Sequence, residues 1–345
     1  MQSNRIFALD FLRAISILMI IFFHYNVSTG ELISPDYVLF KYNIFMGTIG
    51  VSLFIIISGS SLMITKQADF RVIHFYIKRF FSIFPLFYFI YTFFVLAYAV
   101  FFKINLFTAT SGRNPLTFLF TLIGLDGLLL YKIPNYYLIG EWFLGCIIIL
   151  YLMFPLIRYL FTLNKHLCLL ASFIVWIVIY NFYSLDMPLY SFPLFRVFEF
   201  VFGMYYISIV TKNSIKSNTA LLVVGFLGIV AIFNYDRLIS LYVGHIIAGL
   251  LFFISLSSLS NLVKDLLPNR IIYFVSKYSY AAFLLHHLIL NEILSHFKSS
   301  INSQNINFVF FLLTVTLIFL IAYVLQNLLR YIIRFPEVVS KSWKI

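Results

Sequence analysis

The segment LDFLRAISILMIIFFHYN, residues 9–26, indicates how this chain folds. A helix needs about 20 mostly apolar residues to cross a bilayer, and this run is close to that length. It also carries Asp10, Arg13 and His24. Ionisable side chains at membrane depth are costly unless they have a partner or a function. The segment therefore predicts a membrane-spanning helix with one functional face.

The composition indicates a membrane protein with many spans. Hydrophobic residues make up 62% of the 345 residues and charged residues 10%, whereas soluble domains carry roughly 25% charged residues. The mean hydropathy is +1.00. The net charge of +12 comes from Lys and Arg scattered over short loops. Because no basic helix or arm could follow a phosphate backbone, we expect no nucleic acid partner.

The two cysteines do not indicate a disulfide framework or a metal site. Cys146 and Cys168 both lie inside apolar runs, which predicts small buried side chains. We expect no metal cofactor. The first span contains Arg13 and is not followed by a small-residue cleavage site, so it is expected to remain as a span instead of being removed as a signal peptide.

Windows of about 20 apolar residues predict ten spans in an all-α membrane protein with a single domain over residues 1–345. The predicted spans are 9–27, 44–65, 80–102, 141–162, 167–185, 191–210, 219–235, 239–259, 271–297 and 307–333. The segment 116–130 is interrupted by Gly124, Asp126 and Gly127. We predict a re-entrant or interfacial segment there, not an eleventh span.

The loop charges predict the orientation, because Lys and Arg are retained on the cytoplasmic side. With the N-terminus inside, the predicted inner loops and the C-terminal tail hold most of the basic residues. These are Lys66, Arg71, Lys78, Arg79, Arg158, Lys165, Lys212, Lys216, Lys264, Arg270 and Lys277 in the loops, and Arg330, Arg334, Lys341 and Lys344 in the tail. The predicted outer loops hold only Lys41, Lys103, Arg113, Lys132, Arg237 and Lys298. Both termini are therefore predicted to be cytoplasmic.

On this topology, four spans carry an ionisable residue to a similar depth in the outer half of the membrane. These residues are His24, Glu141, Arg196 and His286. A converging ring of such groups indicates a polar cavity. Each also has a structural explanation: His24 caps a helix, Glu141 is a solvated helix end, Arg196 pairs with Glu199, and a histidine bonds a backbone carbonyl.

The first span carries one ionisable residue towards each side of the membrane. Arg13 and His24 are eleven residues apart, which places them within about 20° of one helix face and about 16 Å apart along the axis. Alternatively, Arg13 extends to the inner interface. In the ninth span, His287 lies about 100° around the helix from His286 and is expected to be the less important of the two.

Two further groups flank the predicted spans. Arg71, Lys78 and Arg79 precede the third span; they are either ordinary cytoplasmic charges or a cationic mouth for an anionic cofactor. Near the fourth span, Tyr137 and Trp142 are suited to contact a sugar, although an interfacial aromatic belt explains these rings equally well.

Six motifs occur in one order along the chain. Besides the Arg13 and His24 pair, they are GTIGVSLFIIISGSSLM with Gly50, Phe54, Ser58 and Gly59; FYIKRFFSIFPLFYF with Arg79 and Pro85; EWFLGCIIILYLMFP with Trp142, Tyr151 and Pro155; FRVFEFVFGM; and SKYSYAAFLLHHLIL. In these motifs the chain, from about residue 5 to residue 330, resembles the acyltransferase-3 family of integral membrane O-acyltransferases.

Two positions depart from the family pattern. Many members have a second Arg where this chain has Ser82, and many have Glu where it has Ile147. Fewer basic residues are therefore expected to contact the cofactor in this chain. Glu141, which precedes Trp142, is expected to supply the carboxylate that is missing at Ile147. The hydrolase-like domain that some members carry at the C-terminus is not expected.

The resemblance implies an O-acetyltransferase of the bacterial plasma (inner) membrane. Acetyl-CoA would be the acyl donor, and the acceptor would be a hydroxyl of a cell-surface polysaccharide, such as O-antigen or capsule, or of its undecaprenyl-linked precursor. The expected catalytic residues are His24, Arg13, Glu141 and His286, with His24 as general base or nucleophile. The expected cofactor contacts are Arg13, Arg79, Arg71 and Lys78, and the expected acceptor contacts are Arg196, Glu199, Trp142 and Tyr137.

A different class of function remains open from the residues alone. The intramembrane charges would also suit a transporter of polysaccharide or lipid, in which they would line a path. Transporters often show paired repeats with broken helices at corresponding positions, and the sequence shows no such symmetry. We therefore favour the enzyme.

Overall fold

The computed structural model describes residues 6–29, 38–64, 70–101, 103, 113–209, 215–234, 241–297 and 303–333. These residues form helices and loops, and no strand occurs among them. The long helices are α1 (Phe7–Thr29), α2 (Val38–Ile64), α3 (Val72–Phe101), α4 (Glu141–Leu163), α5 (Lys165–Phe182), α6 (Val197–Ile209), α7 (Ile215–Asn234), α8 (Leu241–Val263), α9 (Asn269–Phe297) and α10 (Gln304–Ile332).

Seven of these helices are long and apolar enough to cross a membrane. They are α1, α3, α4, α5 and α10, together with Met46–Ile64 of α2 and Tyr242–Val263 of α8. Helix α6 has 13 residues and so spans only about 20 Å. Helix α9 is long but carries Lys277, His286, His287 and Glu292. An all-helical, multi-pass membrane protein is thus confirmed, whereas the count of ten spans and the cytoplasmic termini stay predictions.

The segment between α3 and α4 is not a continuous helix. It contains a 3₁₀ turn, Pro115–Thr117, and two short helices, Phe118–Leu122 and Asp126–Leu129. The longer of the two has five residues, far fewer than a span needs. Several residues used to predict the orientation, namely Lys66, Lys212, Arg237, Lys298 and the tail from residue 334, lie outside the described part of the chain.

Helix α1 lies at the centre of the bundle, packed against α2, α8 and α9. Helix α2 in turn packs against α6. Their backbones approach closely at Gly59 and Gly203: a Cβ on Gly59 would lie 2.0 Å from the Phe200 carbonyl oxygen, and one on Gly203 would lie 2.0 Å from that of Ile56. Small residues allow such close crossings of membrane helices. The crossing fixes α6 against α2, which itself packs on α1.

Both cysteines are free thiols, and Cys146 is fully buried while Cys168 is partly buried.

Candidate active site

Three histidines surround one carboxylate at the junction of α1, α4 and α9. Glu141 Oε2 lies 3.4 Å from His24 Nε2, and Glu141 Oε1 lies 2.8 Å from His286 Nε2 and 3.0 Å from His287 Nε2. The His24 ring is centred 5.0 Å from that of His286 and 4.2 Å from that of His287. The structure therefore brings together three of the four outer-half residues singled out in the sequence, and adds His287.

Glu141 is held in an unusual backbone conformation. It is the first residue of α4 and has φ 43°, and Gly140 before it has φ 94°. Gly140 adopts this left-handed region without a Cβ penalty. A non-glycine residue there costs about 1–3 kcal/mol, and such residues concentrate at functional sites. The turn aims the Glu141 carboxylate at the histidines of α1 and α9.

The hydrogen bonding of His286 determines its tautomer. Its Nδ1 lies 2.6 Å from the Phe283 carbonyl oxygen; a carbonyl only accepts, so Nδ1 carries a proton. Its Nε2, on a side chain with 0% exposure, faces Glu141 Oε1. This contact is favourable only when a second proton lies between the two atoms. The cluster can therefore bind and release a proton.

The same four side chains could hold a divalent cation. Their ligand atoms all lie within 4.8 Å of one another, and imidazole and carboxylate groups are common zinc ligands. A proton shared within the cluster accounts for the contacts equally well.

A cavity of about 390 Å³ lies between α1, α2, α3, α4 and α9. Its polar lining includes Arg13, Arg79, Lys277, Ser58, Ser82, Ser276 and Ser279. No aspartate or glutamate occurs among the described residues that line it. Arg13 is paired with Asp10, which does not line the cavity, so Arg79 and Lys277 leave a net positive charge that fits an anionic ligand.

Arg79 and Lys277 contact aromatic rings at this cavity. The Arg79 guanidinium carbon lies 5.7 Å from the centre of the Tyr151 ring and 5.9 Å from that of Phe75. The Lys277 ammonium lies 4.9 Å from the centre of the Tyr278 ring. Neither cation forms an ion pair within the described part of the chain. Both are thus available to bind phosphate oxygens.

Arg13 belongs to the cavity and His24 to the histidine cluster, so α1 links the two. Arg13 Nη1 lies 3.4 Å from both Asp10 Oδ1 and Ser276 Oγ, and the Ser276 hydroxyl donates to Asp10 Oδ1 at 2.5 Å. These contacts orient the guanidinium at the cavity wall. The eleven-residue spacing predicts one shared helix face, and the structure places Arg13 at the cavity and His24 in the histidine cluster of the same helix.

Of the four basic residues expected to bind the cofactor, Arg13 lines the cavity, and the other three are not equivalent. Arg79 lines the cavity, whereas Arg71 and Lys78 are exposed and do not. Sequence reasoning also missed Lys277, which it counted only among the cytoplasmic loop charges. Its position in the SKYSY motif was the available signal.

Arg196 and Glu199 lie outside the histidine cluster. Their side chains form an ion pair of 3.0 Å with 2% and 0% exposure, and Arg196 Nη2 donates to Ser52 Oγ at 3.4 Å. Arg196 ends a 3₁₀ turn, Pro193–Arg196, immediately before α6. The three-residue spacing places Glu199 directly beside it. The described partners of Arg196 are thus Glu199 and Ser52.

Aromatic side chains flank Glu141. The Trp142 ring is centred 5.3 Å from that of Tyr190 in an edge-on arrangement, and Tyr190 is 38% exposed. The Tyr137 backbone N–H donates to Asn135 Oδ1 at 3.0 Å. Burial, followed by the nearby charge of Glu141, raises the pKa of the Tyr137 phenol. Tyr190 was not predicted, because it lies between two of the motifs, at 141–155 and 195–204.

Comparison with known proteins supplies the family. The family model described as an acyltransferase domain, that of the acyltransferase-3 family, matches residues 6–326. No curated protein and no solved structure matches the chain. The matched range includes every residue of the histidine cluster and of the cavity.

Proposed function

The chain belongs to the acyltransferase-3 family, and from this premise we propose that it is an O-acetyltransferase that uses acetyl-CoA. Family membership and the apolar helices make it a multi-pass membrane acyltransferase. We propose that the donor is cytoplasmic, that the membrane is the bacterial plasma membrane, and that the acceptor is a hydroxyl of a surface polysaccharide or its undecaprenyl-linked precursor, reached from the outer side. The transporter alternative has no support from the family.

One observation carries the proposal: α1 presents Arg13 to a cationic cavity and His24 to a histidine and glutamate cluster. Coenzyme A has phosphates at one end and the thioester at the other. Arg13, Arg79 and Lys277 would hold the phosphates or the polar part of the pantetheine arm, since charge-assisted hydrogen bonds are the strong ones. The arm would then extend along α1 towards His24.

At the cluster, His24 acts on the acceptor. Its Nδ1, the ring nitrogen that does not face Glu141, removes the proton from the acceptor hydroxyl, and the oxygen attacks the carbonyl carbon of the thioester. The carbon–sulfur bond breaks, the acetyl group remains on the acceptor oxygen, and coenzyme A leaves after taking up a proton. Glu141 orients the His24 ring and stabilises its positive charge, as carboxylates do for catalytic histidines. An acetyl group carried on His24 itself is the alternative course.

His286 and the aromatic residues have supporting roles. His286 holds a proton near the reaction, positioned by its bond to the Phe283 carbonyl. Trp142 and Tyr137 lie beside Glu141 on the side where the acceptor would bind, and Tyr190 extends that surface. We assign no direct contact with acceptor to Arg196 and Glu199, because their side chains are buried.

Transfer of label tests the proposal. Membranes containing the chain are supplied with acetyl-CoA labelled in the acetyl group, and the host polysaccharide is then isolated. We expect label on the polysaccharide, released by mild base as an ester, and none from membranes without the chain. The transfer should persist after treatment with EDTA, since we propose no metal. Unlabelled polysaccharide from folded, correctly inserted protein would contradict the proposal.

A further inference from the structure

The cavity has one cationic half and one apolar half. The apolar half is lined by Phe54, Ile83, Phe143, Leu144, Ile147 and Phe283. This division matches a ligand that is anionic at one end and apolar at the other. Because the cationic half lies at the Arg13 end of α1, the apolar half lies towards the histidine cluster.

Three phenylalanine rings close the apolar half. The Phe143 ring is centred 5.9 Å from that of Phe54 and 5.3 Å from that of Phe283, the latter pair edge to face at 79°. Phe143 and Phe283 are 8% and 4% exposed. The rings therefore form a packed wall that cannot yield space without a side-chain movement.

The histidine cluster lies directly beyond this wall. Glu141 is two residues before Phe143 in α4, and His286 is three residues after Phe283 in α9. The Phe283 and His286 rings are centred 5.8 Å apart. The apolar half of the cavity thus ends about one helical turn, or about 5 Å, from the groups proposed to perform the transfer.

We propose that Phe143 and Phe283 restrict the acyl group to acetyl or one of similar size. This inference rests on the proposed use of an acyl-CoA donor. With the phosphates at the cationic end, the acyl carbons lie at the aromatic wall. Each additional methylene would have to displace a packed ring, and overpacking a filled site is unfavourable. Phe143 and Phe283 are then specificity-determining residues.

The experiment measures the ratio of kcat/KM values for acetyl-CoA, propionyl-CoA and butyryl-CoA. We expect the wild-type protein to prefer acetyl-CoA by about tenfold or more for each added methylene, within the roughly 10- to 200-fold that one methylene changes discrimination in an apolar pocket. Phe143→Ala should lower the preference for acetyl-CoA over butyryl-CoA by about tenfold or more. Phe143→Leu, a milder change, should give an intermediate ratio.

Phe161→Ala is the matched control, since Phe161 is also buried in α4 but does not line the cavity. Its ratio should equal that of the wild type even if its activity falls. A wild-type protein that uses butyryl-CoA as well as acetyl-CoA would overturn the inference. An unchanged ratio of kcat/KM values in active Phe143→Ala and Phe143→Leu proteins would also overturn it. The same holds if both variants fold but transfer no acyl group from any donor. Failure of the wild type with every acyl-CoA would instead contradict the proposed function.

Discussion

His24 Nε2 lies 3.4 Å from Glu141 Oε2, between the C-terminal half of α1 and the first residue of α4. The pair explains why an apolar span carries a histidine: its partner comes from a different helix and is fixed by the left-handed backbone at Gly140 and Glu141. A carboxylate that orients an imidazole is the arrangement that general-base catalysis by histidine requires.

Glu141→Gln should lower kcat by about 10²- to 10⁴-fold. The amide keeps the size of the side chain but cannot stabilise a positive imidazole. The KM for acetyl-CoA should change little, because the cationic cavity is intact. Steady-state transfer by purified protein measures both values. Glu292→Gln is the control, since this residue is in α9 but outside the cluster. A kcat for Glu141→Gln within about twofold of the wild type would remove Glu141 from the mechanism.

Arg79→Gln and Lys277→Gln should each raise the KM for acetyl-CoA by roughly 10- to 100-fold, because a lost charge-assisted hydrogen bond is worth about 1.5–3 kcal/mol. Arg71→Gln and Lys78→Gln, which alter exposed charges outside the cavity, should leave KM unchanged. An equal rise of KM in all four variants would indicate that the overall positive charge attracts acetyl-CoA, and that Arg79 and Lys277 do not form a specific binding site.

Ser82→Arg should rescue part of the loss in Lys277→Gln. Ser82 lines the same cavity as Lys277 and follows Arg79 by three residues, on nearly the same face of α3. A guanidinium there would restore the third positive charge. Competition binding of coenzyme A measures the effect. If the double variant binds coenzyme A no better than Lys277→Gln alone does, binding depends on the position of the Lys277 ammonium and not only on the number of positive charges in the cavity.

The Arg196 and Glu199 pair should prove structural. Arg196→Ala leaves a buried carboxylate without its partner and should destabilise the protein by about 3–5 kcal/mol, seen as a lower unfolding temperature in detergent. The double change Arg196→Met with Glu199→Leu removes both charges at similar volume, so most of the stability and activity should return. A stable double variant whose KM for acceptor is raised would instead show that the pair contacts substrate.

Labelling of introduced cysteines tests the orientation in a background with Cys146 and Cys168 replaced by Ala. Arg71→Cys should react only after the membrane is opened, and Arg113→Cys should react with an impermeant reagent from outside. The reverse result would place the cationic cavity on the outer side and exclude a cytoplasmic donor.

Much of the fold and part of the site could be predicted from the sequence. The length of the apolar runs predicts membrane-spanning helices, because a bilayer requires about 20 such residues. The spacing of Arg13 and His24 predicts a functional face, because residues eleven apart lie on one side of a helix. The contacts between helices could not be predicted this way. His287 reaches Glu141 although it faces about 100° away from His286 on α9, because Glu141 Oε1 contacts both imidazoles. Lys277 was missed because a loop charge and a binding charge look alike in a sequence.

The central claim is that His24 performs the proton or acyl transfer. The most direct measurement is transfer of labelled acetyl from acetyl-CoA to polysaccharide by His24→Ala, with His296→Ala as the control because His296 is exposed near the end of α9. His24→Ala should lose about 10²- to 10⁴-fold in rate while it inserts into the membrane and binds coenzyme A normally; His296→Ala should remain active. Transfer by His24→Ala at the wild-type rate would contradict the account and leave His24 as a residue that caps the C-terminal end of α1.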